Sequence, residues 1–157
     1  MKTKIGIIFL LISISLFSQS NEKKSFDEFL HENNDKIIYV DFWASWCKPC
    51  IKEIPKVLKL SKDYKNSEII FVFFSIDENL DSWENLSEEL NIKLYEYNFN
   101  SHQFKKPEIF KELKLNSLPR YLIIKNSKII DENAKKPSKR IVENLLKKIT
   151  MHNKELS

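Results

Sequence analysis

Glycine is almost absent from this chain of 157 residues, since Gly6 is the only one. A phosphate cradle of the nucleotide-binding kind needs several glycines close together, because its backbone must approach the phosphates without a Cβ in the way. The sequence therefore excludes a glycine-rich nucleotide site. It also predicts that turns with positive φ are formed by asparagine, aspartate or another tolerant residue.

Cysteine is also scarce, with only Cys47 and Cys50 in the chain. A disulfide between them closes a very small loop and would stabilise the fold only weakly. A zinc site needs four ligands, and the three histidines are scattered along the sequence. Covalent haem attachment needs a histidine directly after the second cysteine, where Ile51 stands. The spacing favours a redox pair, and a structural or metal-binding pair is the alternative.

The chain also lacks a large net charge. The chain has 26 basic and 22 acidic residues, and removal of residues 1–20 would take Lys2 and Lys4 away and leave a surplus of only two. Such a surplus is too small to indicate binding to nucleic acid or to an anionic membrane surface.

Residues 1–20 have the three parts of a secretory signal. Two lysines open the segment, an uncharged apolar run covers residues 5–17, and Ser18 and Ser20 provide small residues near a cleavage point. We therefore expect export, with the periplasm as the location and residues 21–157 as one mature domain. A retained membrane anchor is the alternative, although the apolar run is shorter than the roughly 20 residues that a spanning helix needs.

Apolar patterning predicts an α/β fold with a central mixed sheet flanked by helices. Near-continuous apolar runs at 36–44 and 68–76 indicate strands buried on both faces. An amphipathic stretch between them, reaching about residue 64, indicates a helix, so the two strands should be parallel. Residues 120–124 and 128–131 predict a hairpin whose turn is Asn126-Ser127.

Further helices are predicted at four places. A capping box of Ser25 and Glu28 opens the first, Asp81 or Ser82 caps a helix over 81–90, a short helix covers 107–113, and the last begins after Ser138. Residues 94–99 are compatible with either a strand or a loop.

The order strand, Cys-x-x-Cys, helix places Cys47 at a helix N-terminus. Free backbone N–H groups and the helix dipole favour a thiolate there, and Lys48 adds a positive charge. Cys47 is therefore the expected nucleophile, and Cys50, one turn further on, is expected to resolve the mixed disulfide. Pro49 removes a backbone donor and stiffens the turn between the two cysteines.

Two motifs carry a resemblance to the thioredoxin family. The stretch DFWASWCKPC over residues 41–50, with Pro55 five residues later, resembles the active-site strand and helix of thioredoxins. The run Ser117-Leu118-Pro119 before an apolar strand resembles that family's cis-proline loop. The signal segment, Glu53 and the run Pro119-Arg120-Tyr121 are similar to the exported TlpA/ResA-like branch. The resemblance implies a thioredoxin fold and dithiol–disulfide exchange without a bound cofactor.

The resemblance also implies roles for individual residues. Pro119 would lie against the cysteines in the cis form and expose the Leu118 backbone to a substrate. Asp41 would take and return the proton of Cys50, the alternative being a carboxylate at the sheet edge that is solvated or paired with lysine. Glu53 would influence the acidity of the cysteines, the alternative being a solvated helix glutamate.

The expected substrate-binding surface surrounds the cysteines. It comprises Trp46, Lys48, Pro49, Leu118 and Arg120. Trp43 is expected in the core, and Tyr121 is expected either to contact substrate or to pack internally.

These features predict an exported enzyme that reduces protein disulfides. Some members of the resembled branch act on apocytochromes before haem attachment, and the branch implies a membrane protein as the thiol–disulfide electron donor. The Lys48-Pro49 pair resembles reducing members of the family more than strong oxidants. A disulfide oxidase or isomerase, and a non-catalytic module that binds a partner or Cu(I), are the alternative hypotheses.

Overall fold

The computed structural model describes residues 25–103 and 107–155. The predicted signal segment, residues 1–20, lies outside these ranges. Within them, every helix is too short or too polar to cross a membrane.

Helices and strands alternate along most of the chain. In order they are α1 (Phe26–Glu32), β1 (Ile37–Trp43), α2 (Lys48–Asp63), β2 (Ile69–Ser75), α3 (Leu80–Glu89), β3 (Asn98–Asn100), a 3₁₀ helix (Glu108–Phe110), β4 (Arg120–Lys125), β5 (Lys128–Asp131) and α4 (Lys139–Glu155).

The five strands form one mixed sheet in the order β3-β2-β1-β4-β5. Strand β1 runs parallel to β2, as β2 does to β3, whereas β4 is antiparallel to both β1 and β5. All seven residues of β1 are buried, because this central strand has a hydrophobic cluster on each face. The predicted α/β fold with a mixed sheet is confirmed.

Alternation along β1 divides its side chains between the two faces of the sheet. Tyr39 and Trp43 belong to the cluster that contains Cys50 and Ile54 of α2. Their neighbours Ile38, Val40 and Phe42 belong to the opposite cluster, with side chains from α1 and the 3₁₀ helix. Asp41, midway between Tyr39 and Trp43, therefore lies on the face covered by α2.

The local predictions are confirmed in part. Ser25 and Glu28 form the predicted capping box, with both reciprocal hydrogen bonds. The cap of α3 is Asn79, whose side chain accepts a hydrogen bond from the Ser82 N–H at 2.8 Å, so the prediction of Asp81 or Ser82 as the cap is wrong. An asparagine oxygen is a good acceptor at an N-cap, and it leaves Asp81 in the first turn.

Two other boundaries also differ from the sequence prediction. The predicted helix over 107–113 is only the 3₁₀ turn Glu108–Phe110. Of the ambiguous segment 94–99, only its last two residues join β3, which pairs with the end of β2.

The near-absence of glycine has the predicted consequence at turns. Asn91, Asn126 and Ser127 have positive φ values of 59°, 51° and 54°. Asn126 and Ser127 connect β4 to β5, where a two-residue hairpin turn with positive φ at both positions matches the twist of the strands.

Candidate active site

Cys47 and Cys50 are joined by a disulfide at the N-terminus of α2, with their Cα atoms 5.3 Å apart. Cys47 is the N-cap residue, and its Sγ accepts a hydrogen bond from the Cys50 N–H at 3.3 Å. Pro49 lies in the first turn, where a helix loses no hydrogen bond by its missing N–H. The helix N-terminus therefore points its free donors at the sulfur that is expected to become the thiolate.

An exposed rim surrounds these buried sulfur atoms. Trp46 is 66% exposed, although most large apolar side chains of the described residues are buried. Lys48 and Pro49 are exposed as well, whereas Cys47 retains only 4% of its accessible surface. The structure therefore places three of the predicted substrate-binding residues together at the surface next to Cys47.

The second predicted motif precedes β4. The Leu118–Pro119 peptide bond is cis, and both residues are half-buried. Leu118 packs against the hydrophobic clusters on both faces of the sheet. Arg120 begins β4, and its Nε donates a hydrogen bond to the Glu132 carbonyl at 2.6 Å. That bond ties the Arg120 side chain to the segment after β5.

Asp41 is a buried acid in the middle of the sheet, with 1% of its surface exposed. Neither carboxylate oxygen has a hydrogen-bond partner among the described residues. Burial, followed by the negative charge of Glu53, raises the pKa of Asp41 well above its ordinary value of 3.8. The alternative of a solvated or lysine-paired carboxylate at the sheet edge is wrong, because β1 is the central strand.

Glu53 lies on α2 one turn after Cys50. Its two carboxylate oxygens contact Lys56 and Lys136, each at 3.1 Å, and its side chain is 18% exposed. Burial opposes ionisation, but the hydrogen bonds and charges of Lys136 and Lys56 together outweigh it and lower the pKa of Glu53. Glu53 is thus an anion held by two lysines, and it is not a freely solvated glutamate.

Asp77, which the sequence analysis missed, supports the loop before the cysteines. Its carboxylate accepts hydrogen bonds from the Ser45 N–H at 2.9 and 3.0 Å, and from the hydroxyls of Ser45 and Ser75 at 2.7 Å. Asn100 donates to the Asp77 carbonyl at 3.0 Å. A signal existed in the sequence, because Asp77 follows a buried strand parallel to β1, and the carboxyl ends of such strands lie at the same edge.

Removal of the Asp77 carboxylate should destabilise the fold. In Asp77→Ala, the donors on partly buried Ser45 and fully buried Ser75 lose their acceptor, and an unsatisfied buried donor costs about 1–3 kcal/mol. We expect the free energy of unfolding to fall by about 3 kcal/mol in denaturant titrations. The exposed neighbour Glu78 offers the control Glu78→Ala, which should change it by less than about 0.5 kcal/mol. Equal stabilities of the two variants would contradict this role.

The described residues hold no group of three or more histidine, cysteine, aspartate or glutamate side chains that could bind a metal ion.

A mixed sheet flanked by helices, with a Cys-x-x-Cys disulfide at the helix that follows the central strand, defines a thiol–disulfide oxidoreductase of thioredoxin fold. The comparisons with known proteins agree. The thioredoxin-like family model matches residues 33–130, and the chain belongs to this family.

Three similar proteins illustrate the relationship. The thiol-disulfide oxidoreductase ResA of Bacillus thuringiensis subsp. konkukian is 33% identical over 122 residues, which are 77% of this chain and 68% of the relative. The solution structure of a protein described as a thiol-disulfide oxidoreductase from Bacteroides vulgatus is 28% identical, with a TM-score of 0.62 and coverage of 77% and 78%. A thiol:disulfide interchange protein from Bacteroides sp. shares the fold, with 22% identity, a TM-score of 0.60 and coverage of 75% and 78%. The predicted family, fold and enzyme class are confirmed.

Proposed function

We propose that the protein reduces disulfides of other proteins outside the cytoplasm, with Cys47 as nucleophile and Cys50 as the resolving cysteine. The observation that supports the reducing direction is a pair of acids beside the cysteine cluster. Asp41 lies on the α2 face of the sheet and is negative whenever it is ionised, and Glu53 lies on α2. Negative charge near the cysteines disfavours their thiolate form and so favours the disulfide. A protein whose disulfide is favoured is a reductant, whereas strong oxidants stabilise their reduced form.

The proposed cycle transfers two electrons from the cysteine pair to the substrate. The Cys47 thiolate attacks the substrate disulfide, forms a mixed disulfide and expels one substrate thiolate. Asp41, as a carboxylate, then takes the proton of the Cys50 thiol, and the Cys50 thiolate attacks Cys47 to expel the second substrate thiolate. The protein is left with the Cys47–Cys50 disulfide, and the proton on Asp41 returns to solvent.

Substrate contact is assigned to the rim of the site. Trp46 offers an exposed apolar ring beside Cys47, and Lys48 and Pro49 continue that surface. The backbone of Leu118 before Pro119 is proposed to pair with an extended substrate segment, as the family resemblance implies. Arg120 is proposed to border this segment. Glu53 is proposed to influence the acidity of the cysteines from the side of α2.

The location and the partners are part of the same proposal. The signal-like segment over residues 1–20 supports export to the periplasm. There the disulfide would be reduced again by a membrane thiol–disulfide donor. Apocytochromes are the substrate class that the TlpA/ResA-like resemblance suggests.

The direction is tested by equilibrating the protein with glutathione or dithiothreitol buffers of defined potential. We expect a reduction potential closer to the roughly −270 mV of thioredoxin than to the roughly −120 mV of the oxidant DsbA. Glu53→Gln leaves the positive charges of Lys56 and Lys136 without their anion, which favours the thiolate form, so the potential should become less negative. A wild-type reduction potential near that of DsbA would overturn the proposal that the protein is a reductase and would favour the oxidase alternative.

A further inference from the structure

A phenol lies directly opposite the buried acid of the site. Asp41 of β1 and Tyr121 of β4 are paired in the antiparallel register. Side chains at such positions are on the same face of the sheet, with Cβ atoms about 4.5–5.5 Å apart. Tyr121 belongs to the cluster that contains Cys47 and Cys50, so its ring lies on the α2 face, as Asp41 does.

Both groups are buried and lack hydrogen-bond partners. Tyr121 is 5% exposed and Asp41 is 1% exposed. The Tyr121 hydroxyl and the two Asp41 oxygens have no partner among the described residues. A buried polar group without a partner costs free energy, and the two groups do not bond each other directly in this structure. A buried water between them, or a small rotation of the side chains, would satisfy both.

One other donor on this face, Trp43 Nε1, is also buried without a partner in the described part of the chain, but Trp43 lies two residues along β1 and not opposite Asp41. The remaining groups around Asp41 do not supply the hydrogen bond. The residue that pairs with Asp41 on β2 is Phe73, whose side chain has no polar atom. Glu53 of α2 is an anion held by its lysines and cannot donate. Tyr39, on the same strand as Asp41, donates its hydroxyl to the Lys135 carbonyl. Tyr121 is thus the phenol that lies opposite Asp41 and whose hydroxyl has no other acceptor among the described residues.

We propose that Tyr121 is a positioning residue for proton transfer between Cys50 and Asp41. When Asp41 is ionised, the Tyr121 hydroxyl donates a hydrogen bond toward the carboxylate, either through one water or after a small rotation of the side chains. This bond stabilises the form of Asp41 that accepts the Cys50 proton, and it keeps a buried carboxylate available near neutral pH. The inference rests on the proposed function, because it assigns a partner to the proton acceptor of that cycle.

Electrostatics supports the pairing. Burial, then the charges of Asp41 and Glu53, and then Tyr39, raise the pKa of Tyr121 above its ordinary value of 10.0. The phenol therefore keeps its proton throughout the physiological range and serves as a donor, not as a base.

The test is Tyr121→Phe, which removes only the hydroxyl. Loss of the hydrogen bond should raise the pKa of Asp41 by about one unit, which corresponds to a tenfold change in its ionisation. In the pH profile of insulin reduction, we expect the acid limb to move up by about one pH unit. Turnover should fall about tenfold on that limb and remain unchanged at higher pH. Carbon-13 NMR of the Asp41 carboxyl in the oxidised protein measures the same shift without activity.

Tyr95→Phe is the matched control. Tyr95 packs against the same cluster, but its hydroxyl donates to the Phe71 carbonyl at 2.9 Å, so the variant should leave both measurements unchanged. Tyr121→Phe added to Asp41→Asn should cause no further loss of activity. An Asp41 titration that is the same with and without the Tyr121 hydroxyl would overturn this inference while leaving the reductase proposal intact. A wild-type protein without disulfide-reducing activity would instead contradict the proposed function itself.

Discussion

Cys47→Ser should abolish insulin reduction, with a loss of about 10⁴-fold or more to the background rate. Serine cannot form a disulfide, and its hydroxyl is far less acidic than a thiol, so the helix N-terminus has no nucleophile to activate. Cys50→Ser should behave differently, because Cys47 can still attack. Its first step should proceed and its second should fail, so mixed disulfides should accumulate on Cys47. Turbidity assays measure the first result, and non-reducing electrophoresis measures the second.

The trapping variant also identifies the substrate when it is expressed in the native compartment. The proteins that Cys50→Ser captures, and that reductant then releases, are those whose disulfides Cys47 attacks. Recovery of apocytochromes would support a role in cytochrome maturation, and a broad set would indicate general disulfide reduction. The double variant Cys47→Ser/Cys50→Ser is the control and should capture nothing. Turnover by Cys47→Ser at the wild-type rate would contradict the assignment of the nucleophile.

Local sequence signals predicted the elements that position the cysteines. The apolar runs that became β1 and β2, and the Ser25 capping box, depend on residues close together in sequence, so their patterns are readable without the fold. The cysteine spacing and the Leu118-Pro119 motif are local in the same way. The ends of helices were predicted less well where one capping side chain sets them, as that of Asn79 does at the start of α3.

The surroundings of the site could not be predicted because they depend on contacts distant in sequence. Lys136, in the segment before α4, forms an ion pair with Glu53. Asp77, two residues after β2, accepts hydrogen bonds from Ser45. Tyr121 comes opposite Asp41 only through the register of β4. The sequence shows that these positions carry a charged group or a phenol. Only the topology of the fold shows which other side chain each of them contacts.

Asp41→Asn should remove a pH dependence of stability and slow the second step of the reaction. In the wild type, the pKa of Asp41 is raised in the folded state above its ordinary value of 3.8. Between those two values the folded protein holds a proton that the unfolded chain has lost, so stability must fall as pH rises. The slope is about 1.4 kcal/mol per pH unit across that window. Urea titrations of the oxidised protein from pH 4 to pH 8 measure it, because the disulfide-bonded cysteines do not titrate.

The amide of Asp41→Asn cannot ionise, so the difference in stability between variant and wild type should change along this slope and level off above the raised pKa. The surface variant Asp63→Asn, at the exposed end of α2, makes the same chemical change away from the site and is the matched control. Turnover of Asp41→Asn should fall about 100-fold, because an amide cannot accept the Cys50 proton. A parallel pair of stability curves would show that Asp41 titrates normally in the fold. If turnover were nevertheless lost, the carboxyl would act in the reaction without the raised pKa that its burial predicts.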